Sequence, residues 1–217
     1  MASAAIVLLP AALTSPDDFI FHGFADAIDA SGLDVDLLIP DLHADCYLRS
    51  EAVEMLDELL QTHVQNRYAS FWLAGISIGG YGVMQHARLS EMASPSLRGR
   101  FLIAPYLGSR EIVNAVNASG GIHSWRGDGS DMPDAPLWQW LQRQVHTAVA
   151  DSLCVGCGTE DRFALSSRLL ETLIPNQQVF STPGDHSFGP WRTLWAEWLT
   201  SVVAPALLAK ERVEEAV

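Results

Sequence analysis

The chain is poor in cysteine and in basic residues, and both shortages narrow the classes of function open to it. It has three cysteines in 217 residues, and its 13 lysines and arginines face 26 aspartates and glutamates, a net charge of −13. A sparse, odd set of cysteines favours a reducing cytoplasm over a disulfide-bonded scaffold. Because phosphate groups are bound by clustered basic residues, the charge argues against a nucleic acid or an anionic membrane as partner.

Long apolar runs, internal repeats and low-complexity tracts are also lacking. No apolar run reaches the roughly 20 residues of a membrane span. The first twelve residues are apolar, but they lack the basic region of a signal peptide and contain a predicted core strand, so a cytoplasmic location is expected. A chain of 217 residues that is 48% hydrophobic can bury one core and is too short for two ordinary domains. We therefore predict one domain, 1–217.

Two of the cysteines, Cys154 and Cys157, have the C-x-x-C spacing of redox and zinc sites. They lie in an apolar run typical of a strand, in which residues three apart point to opposite faces. No second Cys or His pair stands nearby to complete a metal site. We interpret both as buried structural residues and expect no metal.

Short apolar runs alternate with amphipathic stretches, which predicts an α/β fold with a mainly parallel sheet of about six strands flanked by helices. The predicted strands are Ala4–Leu9, Asp34–Ile39, Ser70–Ala74, Arg100–Ala104, Ser152–Gly156 and Gln177–Ser181. The predicted helices are Pro16–Ala30, Ser50–Asn66, Ile78–Leu89, Arg162–Leu173 and Pro190–Leu208. Residues 105–150 break the alternation. Since a structureless loop of that length is improbable in a compact domain, we predict a small helical insert after the fourth strand, with helices near Arg110–Ala118 and Pro136–Thr147.

The sequence Gly75-Ile-Ser77-Ile-Gly79 follows a predicted buried strand and precedes a predicted helix. This strand–turn–helix context is that of a nucleophile elbow. Glycines on either side make room for the sharp reversal, and Ser77 is left at the carboxyl edge of the sheet with the positive end of a helix behind it. We predict that Ser77 is a nucleophile.

A serine hydroxyl is a weak nucleophile without a base, so a histidine and an orienting carboxylate are expected elsewhere in the chain. The loop after the fifth predicted strand contains Glu160 and Asp161, and the loop after the sixth contains Asp185 and His186. His186 is the predicted base. We favour Asp161 as the acid, with Glu160 and Asp185 as the alternatives. Asp185 is adjacent to the histidine, and adjacent residues seldom point so that one side chain can reach the ring of the other.

Taken together, these motifs resemble those of a known protein family. Over nearly its whole length the sequence resembles small, single-domain α/β-hydrolases of the serine-esterase type, close to a group of compact bacterial hydrolases. Such families carry G-x-S-x-G-G, a G-x-x-D loop and a G-x-H loop, in the chain order that is found here. The resemblance implies the α/β-hydrolase fold and a catalytic triad of Ser77, Asp161 and His186. It implies cleavage of small or medium carboxylic esters through an acyl-enzyme, without a cofactor. A thioesterase, amidase or acyltransferase with the same triad is an alternative, and a non-catalytic ligand-binding protein is a third.

The resemblance also implies an oxyanion hole. Many relatives have His-Gly after the first strand, where this chain has Pro-Ala-Ala-Leu-Thr. Because only backbone N–H groups are needed, we expect the donors to be Ile78 and Ala12, with Ala11 as the alternative to Ala12. The pair His22-Gly23 matches the wording of the family motif, but periodicity places it within a helix, so we predict a structural role for it.

The insert contains candidates for a substrate pocket. We predict that Tyr106, Leu107 and Trp125 line an apolar pocket above the serine, the alternative being that the tryptophans pack the insert onto the sheet. Arg110, Arg126 and Asp128 could bind a polar substrate, although a solvated surface is the simpler interpretation. The sequence implies a small-molecule ester as partner and no particular oligomeric state.

Overall fold

A central parallel sheet of six strands, in the order β2-β1-β3-β4-β5-β6, organises the chain. The structure is a computed structural model that describes residues 2–42, 44–48, 51–92, 94–127 and 131–214. The strands are β1 (Ala4–Leu9), β2 (Val35–Leu38), β3 (Ser70–Ile76), β4 (Leu97–Ile103), β5 (Leu153–Gly158) and β6 (Val179–Thr182). All six predicted strands are present, so the predicted sheet is confirmed.

Helices cover both faces of this sheet. They are α1 (Pro16–Phe21), α2 (Phe24–Ser31), α3 (Ala44–Leu48), α4 (Glu51–Leu59), α5 (Ile78–Leu89), α6 (Arg110–Ala118), α7 (Ala135–Gln142), α8 (Ala148–Asp151), α9 (Ala164–Glu171), α10 (Phe188–Trp198) and α11 (Ala204–Glu214). Side chains of β1 alternate between two cores: Ile6 and Leu8 join one with α2 and α10, whereas Val7 and Leu9 join the other with α4, α5 and α9. Because both faces are covered, β1, β3 and β5 are buried along their whole length and do not alternate between apolar and polar residues.

The predicted helix Pro16–Ala30 is wrong as one element, since α1 ends and α2 begins around His22 and Gly23. Gly23 has φ 79°, a left-handed conformation that interrupts the helix and that glycine adopts without steric cost. His22 is therefore the C-cap of α1 and does not lie within a helix. Its ring stacks on Phe188 at the start of α10, with ring centroids 3.9 Å apart.

Two other predicted helices are continued by π-helical turns. Leu60–Val64 extends α4, and Leu199–Val203 joins α10 to α11. Ser50, the predicted start of the first of these, lies outside the described residues. The short helix α3 was not predicted, because five residues are too few to display a helical period. Its Tyr47 is buried and donates from its hydroxyl to the carbonyl of Pro10.

Between β4 and β5 lie α6, α7 and α8. The bounds of α6 are those predicted, whereas the predicted helix Pro136–Thr147 is shorter and is followed by α8 after a turn. Trp138 of α7 is fully buried and its indole N–H donates to the carbonyl of Leu107, 2.8 Å away. This bond ties α7 to the end of β4.

Cys154 and Cys157 are buried free thiols on β5. Burial raises their pKa values to about 12 and about 11, so both stay protonated and weakly reactive at neutral pH. Within the described ranges, no three His, Cys, Asp or Glu side chains are grouped so that they could hold a metal ion. Nor does any helix in those ranges have both the length and the apolar character to cross a bilayer.

Candidate active site

Ser77 occupies the sharp turn between β3 and α5. Its backbone has φ 56° and ψ −116°, a conformation that non-glycine residues rarely adopt. Neighbouring backbone holds it there: the Ser77 N–H donates to the carbonyl of Ile103 and the Ser77 carbonyl accepts from the N–H of Tyr106, both at 3.0 Å. Such backbone strain persists only where surrounding contacts hold the residue in place, and it is typical of functional sites.

The start of α5 packs directly against the end of β1. Leu9 of β1 pairs with Gly75 of β3. A Cβ on Gly79 would lie 2.7 Å from the carbonyl oxygen of Pro10 and still closer to that of Leu9. Only glycine permits this approach, and the approach places the loop that follows β1 beside Ser77.

Three predicted residues from separate loops form one hydrogen-bonded chain. The Ser77 Oγ lies 3.0 Å from Nε2 of His186, and Nδ1 of His186 lies 2.8 Å and 3.0 Å from the two carboxylate oxygens of Asp161. An ionised carboxylate can only accept, so Nδ1 carries the proton and Nε2 has a free lone pair. That lone pair accepts the hydrogen bond of the Ser77 hydroxyl.

The loops that carry the acid and the base are joined to each other. The N–H of Glu160 donates to the carbonyl of Gly184 at 3.0 Å, and the N–H of Phe163 donates to an oxygen of Asp161 at 2.8 Å. The His186 ring lies edge-on between the rings of Phe163 and Trp191, with ring centroids 4.9 Å away on each side. These contacts hold the imidazole in the orientation that both of its hydrogen bonds require.

The structure separates the three carboxylates that the sequence left open. The side chain of Asp161 is fully buried against the imidazole. Glu160 is exposed and accepts a hydrogen bond from the Thr159 hydroxyl, whereas Asp185 accepts one from Ser187. Among these three carboxylates, Asp161 is the one hydrogen-bonded to His186.

The predicted oxyanion donors lie on the two segments that meet at Ser77. Ile78 is the first residue of α5, a helix of twelve residues whose N-terminus carries partial positive charge. Ala12 is exposed in the loop after β1, and the Thr14 hydroxyl stabilises this loop by donating to the Ala11 carbonyl at 2.7 Å. Within the described chain, neither the Ile78 nor the Ala12 N–H donates to another protein group.

The predicted pocket residues differ in their surroundings. Tyr106 lines a cavity of about 180 Å³ next to the site, together with Phe163. Leu107 is fully buried in the core, and Trp125 is 6% exposed in the same core. Sequence analysis missed Phe163; its position two residues after Asp161, in the same short loop, is the signal that could have indicated it.

Asp128, named above as a possible substrate contact, lies outside the described residues. Arg110 lines the same cavity as Tyr106, whereas Arg126 donates to the His123 carbonyl at 3.3 Å and is not part of the cavity. Sequence analysis treated these two arginines alike. The structure distinguishes them.

No family model and no curated protein sequence matches this chain. Solved structures do. A ferulic acid esterase superposes with a TM-score of 0.58 at 15% identity, covering 92% of this chain and 84% of that one. The type II thioesterase YbtT, of the yersiniabactin pathway, gives a TM-score of 0.56 at 16% identity over 91% and 92% of the two chains. MGS-MChE2, an α/β hydrolase enzyme from the metagenome of lagoon sediments at Mar Chica, Morocco, gives 0.57 at 16% identity over 99% and 93%. The chain therefore has the α/β-hydrolase fold.

Proposed function

We propose that this protein is a serine hydrolase that cleaves carboxylic esters through an acyl-enzyme, with Ser77 as nucleophile, His186 as general base and Asp161 as orienting acid. The observation that carries the proposal is the continuous hydrogen-bonded chain from the Ser77 hydroxyl to the buried Asp161 carboxylate. It stands at a strained strand–turn–helix reversal, which is where this fold exposes a nucleophile.

In the first half of the reaction, Nε2 of His186 takes the proton of the Ser77 hydroxyl as Oγ attacks the ester carbonyl. Asp161 holds the imidazole in the tautomer with Nδ1 protonated and stabilises the imidazolium that forms, without itself taking the proton. The N–H groups of Ile78 and Ala12 bind the oxyanion of the tetrahedral intermediate. Each such donor typically contributes a factor on the order of 10²–10³ in rate.

The imidazolium of His186 then gives its proton to the leaving alcohol, and the C–O bond breaks to leave an acyl group on Ser77. In the second half, the same Nε2 takes a proton from water, which attacks the acyl carbonyl through a second oxyanion. Collapse of that intermediate returns the proton to Ser77 Oγ and releases the acid.

A fluorophosphonate probe tests the nucleophile. The folded protein should be labelled covalently, and Ser77→Ala should abolish labelling and ester hydrolysis together. Ser201→Ala, at an exposed serine in the turn after α10, is the matched control and should be labelled like the unchanged protein. Absence of labelling would contradict the proposal and favour a ligand-binding role, and labelling that survives in Ser77→Ala would contradict it by showing that another residue is the nucleophile.

A thioester could be attacked by the same three groups, and a type II thioesterase is among the similar structures. The leaving group is selected by the surrounding pocket and not by the serine, so oxygen esters and thioesters with one acyl group separate the alternatives. We expect kcat/KM for butyryl oxygen esters to equal or exceed that for butyryl thioesters. A preference of about a hundredfold for the thioester would make this a thioesterase.

A further inference from the structure

A cavity of about 180 Å³ opens beside the proposed catalytic residues. Two of its wall residues contact that site: Phe163 packs edge-on against His186 at 4.9 Å, and the Tyr106 N–H donates to the Ser77 carbonyl at 3.0 Å. Ser77 and His186 are not among the lining residues, so a substrate with its carbonyl at Ser77 would enter the cavity with the part of the molecule that extends beyond Phe163 and Tyr106.

The lining of this cavity combines apolar walls with two cations. Tyr106, Phe163, Val113 and Leu165 are apolar or aromatic, and Arg110 and Arg162 are the charged residues of the lining. The guanidinium of Arg162 lies 5.1 Å from the centre of the Phe163 ring. Benzene enters cavities of roughly 150 Å³, so the space suits a benzene-sized group.

Apart from the contact of Arg162 with the Phe163 ring, charge pairing does not explain the position of either arginine. Both are exposed, and among the residues that the structure describes neither forms an ion pair. Arg110 is the first residue of α6, where a positive charge opposes the helix dipole and an acidic residue would be more stabilising. Arg162 lies in the turn that precedes α9. Two cations from separate segments therefore line one cavity of an acidic protein of net charge −13, at positions where neither is favoured by a helix dipole.

Asp134, the acidic residue near Tyr106, already accepts hydrogen bonds from other groups. Asp134 accepts hydrogen bonds from the Tyr81 hydroxyl at 3.2 Å and the Ser109 N–H at 3.0 Å. Burial, and then the charge of Asp134, raises the pKa of Tyr106, which therefore stays protonated at neutral pH and can donate a hydrogen bond. The lining therefore offers an anion the Tyr106 hydroxyl, the Asn114 amide and the two arginines, and among the described residues it contains no carboxylate.

We propose that this cavity binds an anionic group, and that the preferred substrates are esters bearing a carboxylate on an apolar spacer about one ring long. The proposal rests on the proposed function and names its substrate class. The spacer packs against Tyr106, Phe163 and Val113, and the carboxylate lies between Arg110 and Arg162, whose planar guanidinium groups can each bind it through two N–H donors.

Two pairs of esters, each differing only in charge, test the proposal. The first pair, 4-nitrophenyl 4-carboxybenzoate and its 4-carbamoyl analogue, places the charge on the acyl half. The second, 4-carboxyphenyl acetate and 4-carbamoylphenyl acetate, places it on the alcohol half. In at least one pair we expect kcat/KM for the anion to exceed that for the amide about tenfold, and the preference to shrink as salt screens the charges.

Removing the arginines should remove the preference. Arg110→Gln and Arg162→Gln should each lower kcat/KM for the anionic ester about three- to tenfold and leave the neutral analogue within about twofold. Arg126→Gln is the matched control, because it removes an exposed arginine from the same segment but not from the cavity. It should leave both members of each pair unchanged.

The outcomes distinguish this proposal from the proposed function. If Ser77-dependent hydrolysis is equally fast for the anion and the amide in both pairs, the anionic cavity is overturned but the hydrolase is not. The same holds if the preference for the anion survives in the double variant Arg110→Gln/Arg162→Gln. If no ester is hydrolysed, the binding of benzoate and of benzamide, measured by calorimetry, tests whether the cavity prefers an anion. Tighter binding of benzoate that is lost in Arg110→Gln supports the cavity, and equal binding overturns it.

Discussion

Gly79→Ala is the substitution that tests the geometry of the site most directly, because it adds one methyl group and no new chemistry. The added Cβ would lie 2.7 Å from the carbonyl oxygen of Pro10 and closer still to that of Leu9. Both oxygens belong to the backbone and cannot rotate away. The start of α5 and the end of β1 must therefore separate by roughly 1 Å to restore ordinary van der Waals contact.

That separation acts on the proposed oxyanion hole. Ile78 precedes Gly79, and Ala12 is two residues beyond Pro10, so the two donors move apart with their segments. A misplacement of about 1 Å at a reacting centre can cost a factor of about 100 in rate, and losing one donor costs about as much. We expect kcat/KM for a neutral ester to fall about 100-fold or more, with about 1–3 kcal/mol lost in the free energy of unfolding from overpacking.

Steady-state hydrolysis and urea denaturation measure the two effects separately. Gly189→Ala, in the first turn of α10, is the matched control, since a Cβ there meets no atom within 4 Å. It should leave kcat/KM unchanged and should not lower the free energy of unfolding, because alanine is the better helix former. If Gly79→Ala is folded and keeps its activity within about threefold, the close approach does not position the donors and the reasoning is wrong. If Gly79→Ala does not fold, folding of Gly79→Ser is measured next. That variant should also fail to fold if contact of the Cβ with the backbone is the cause.

Three further predictions concern protons. Asp161→Asn should lower kcat by about 10⁴ because the imidazole loses its tautomer, whereas the neighbouring Glu160→Gln should be nearly neutral; similar losses in both variants would contradict the choice of acid. His186→Gln should lower kcat by about 10⁴ or more, because no base then takes the proton of the Ser77 hydroxyl, and a loss of less than about tenfold would exclude His186 as base. His86 is buried beside Asp57 (Nε2–Oδ1 2.9 Å), and burial lowers its pKa below 6.5 although Asp57 opposes the shift. The unfolded chain then binds a proton that the folded chain does not, so the free energy of unfolding should decrease as pH falls below about 6.5, and His86→Gln should flatten that dependence in denaturation curves.

Sequence analysis predicted the sheet well because β1, β3 and β5 are buried on both faces and so appear as short apolar runs, whereas the edge strands β2 and β6 are only partly buried. Helices were harder. The break at Gly23 depends on one backbone angle, and the π-helical turns preserve the helical pattern of the sequence, so periodicity merges separate elements. The helix α3 was missed because it is five residues long and is fixed by contacts of Tyr47 with distant residues.

The candidate site divides in the same way. Ser77 and His186 could be predicted because each lies in a glycine-containing loop after a strand, and the loops that follow parallel strands all lie at one edge of the sheet. For the acid, the sequence favoured Asp161 but left Glu160 and Asp185 as alternatives, because side-chain direction within a loop depends on the hydrogen bonds that hold the loop. The burial of Leu107 and Trp125 could not be predicted, because it follows from how the insert packs.

The sequence by itself determined the order of strands and helices, the elbow at Ser77 and the loops that carry its partners, since these depend on local pattern and on the topology of parallel strands. Only the tertiary structure decided which carboxylate contacts His186 and which arginines share a cavity with Phe163 and Tyr106. Those relations join residues far apart in the chain, and they arise from packing between loops and helices that have no periodic signal of their own.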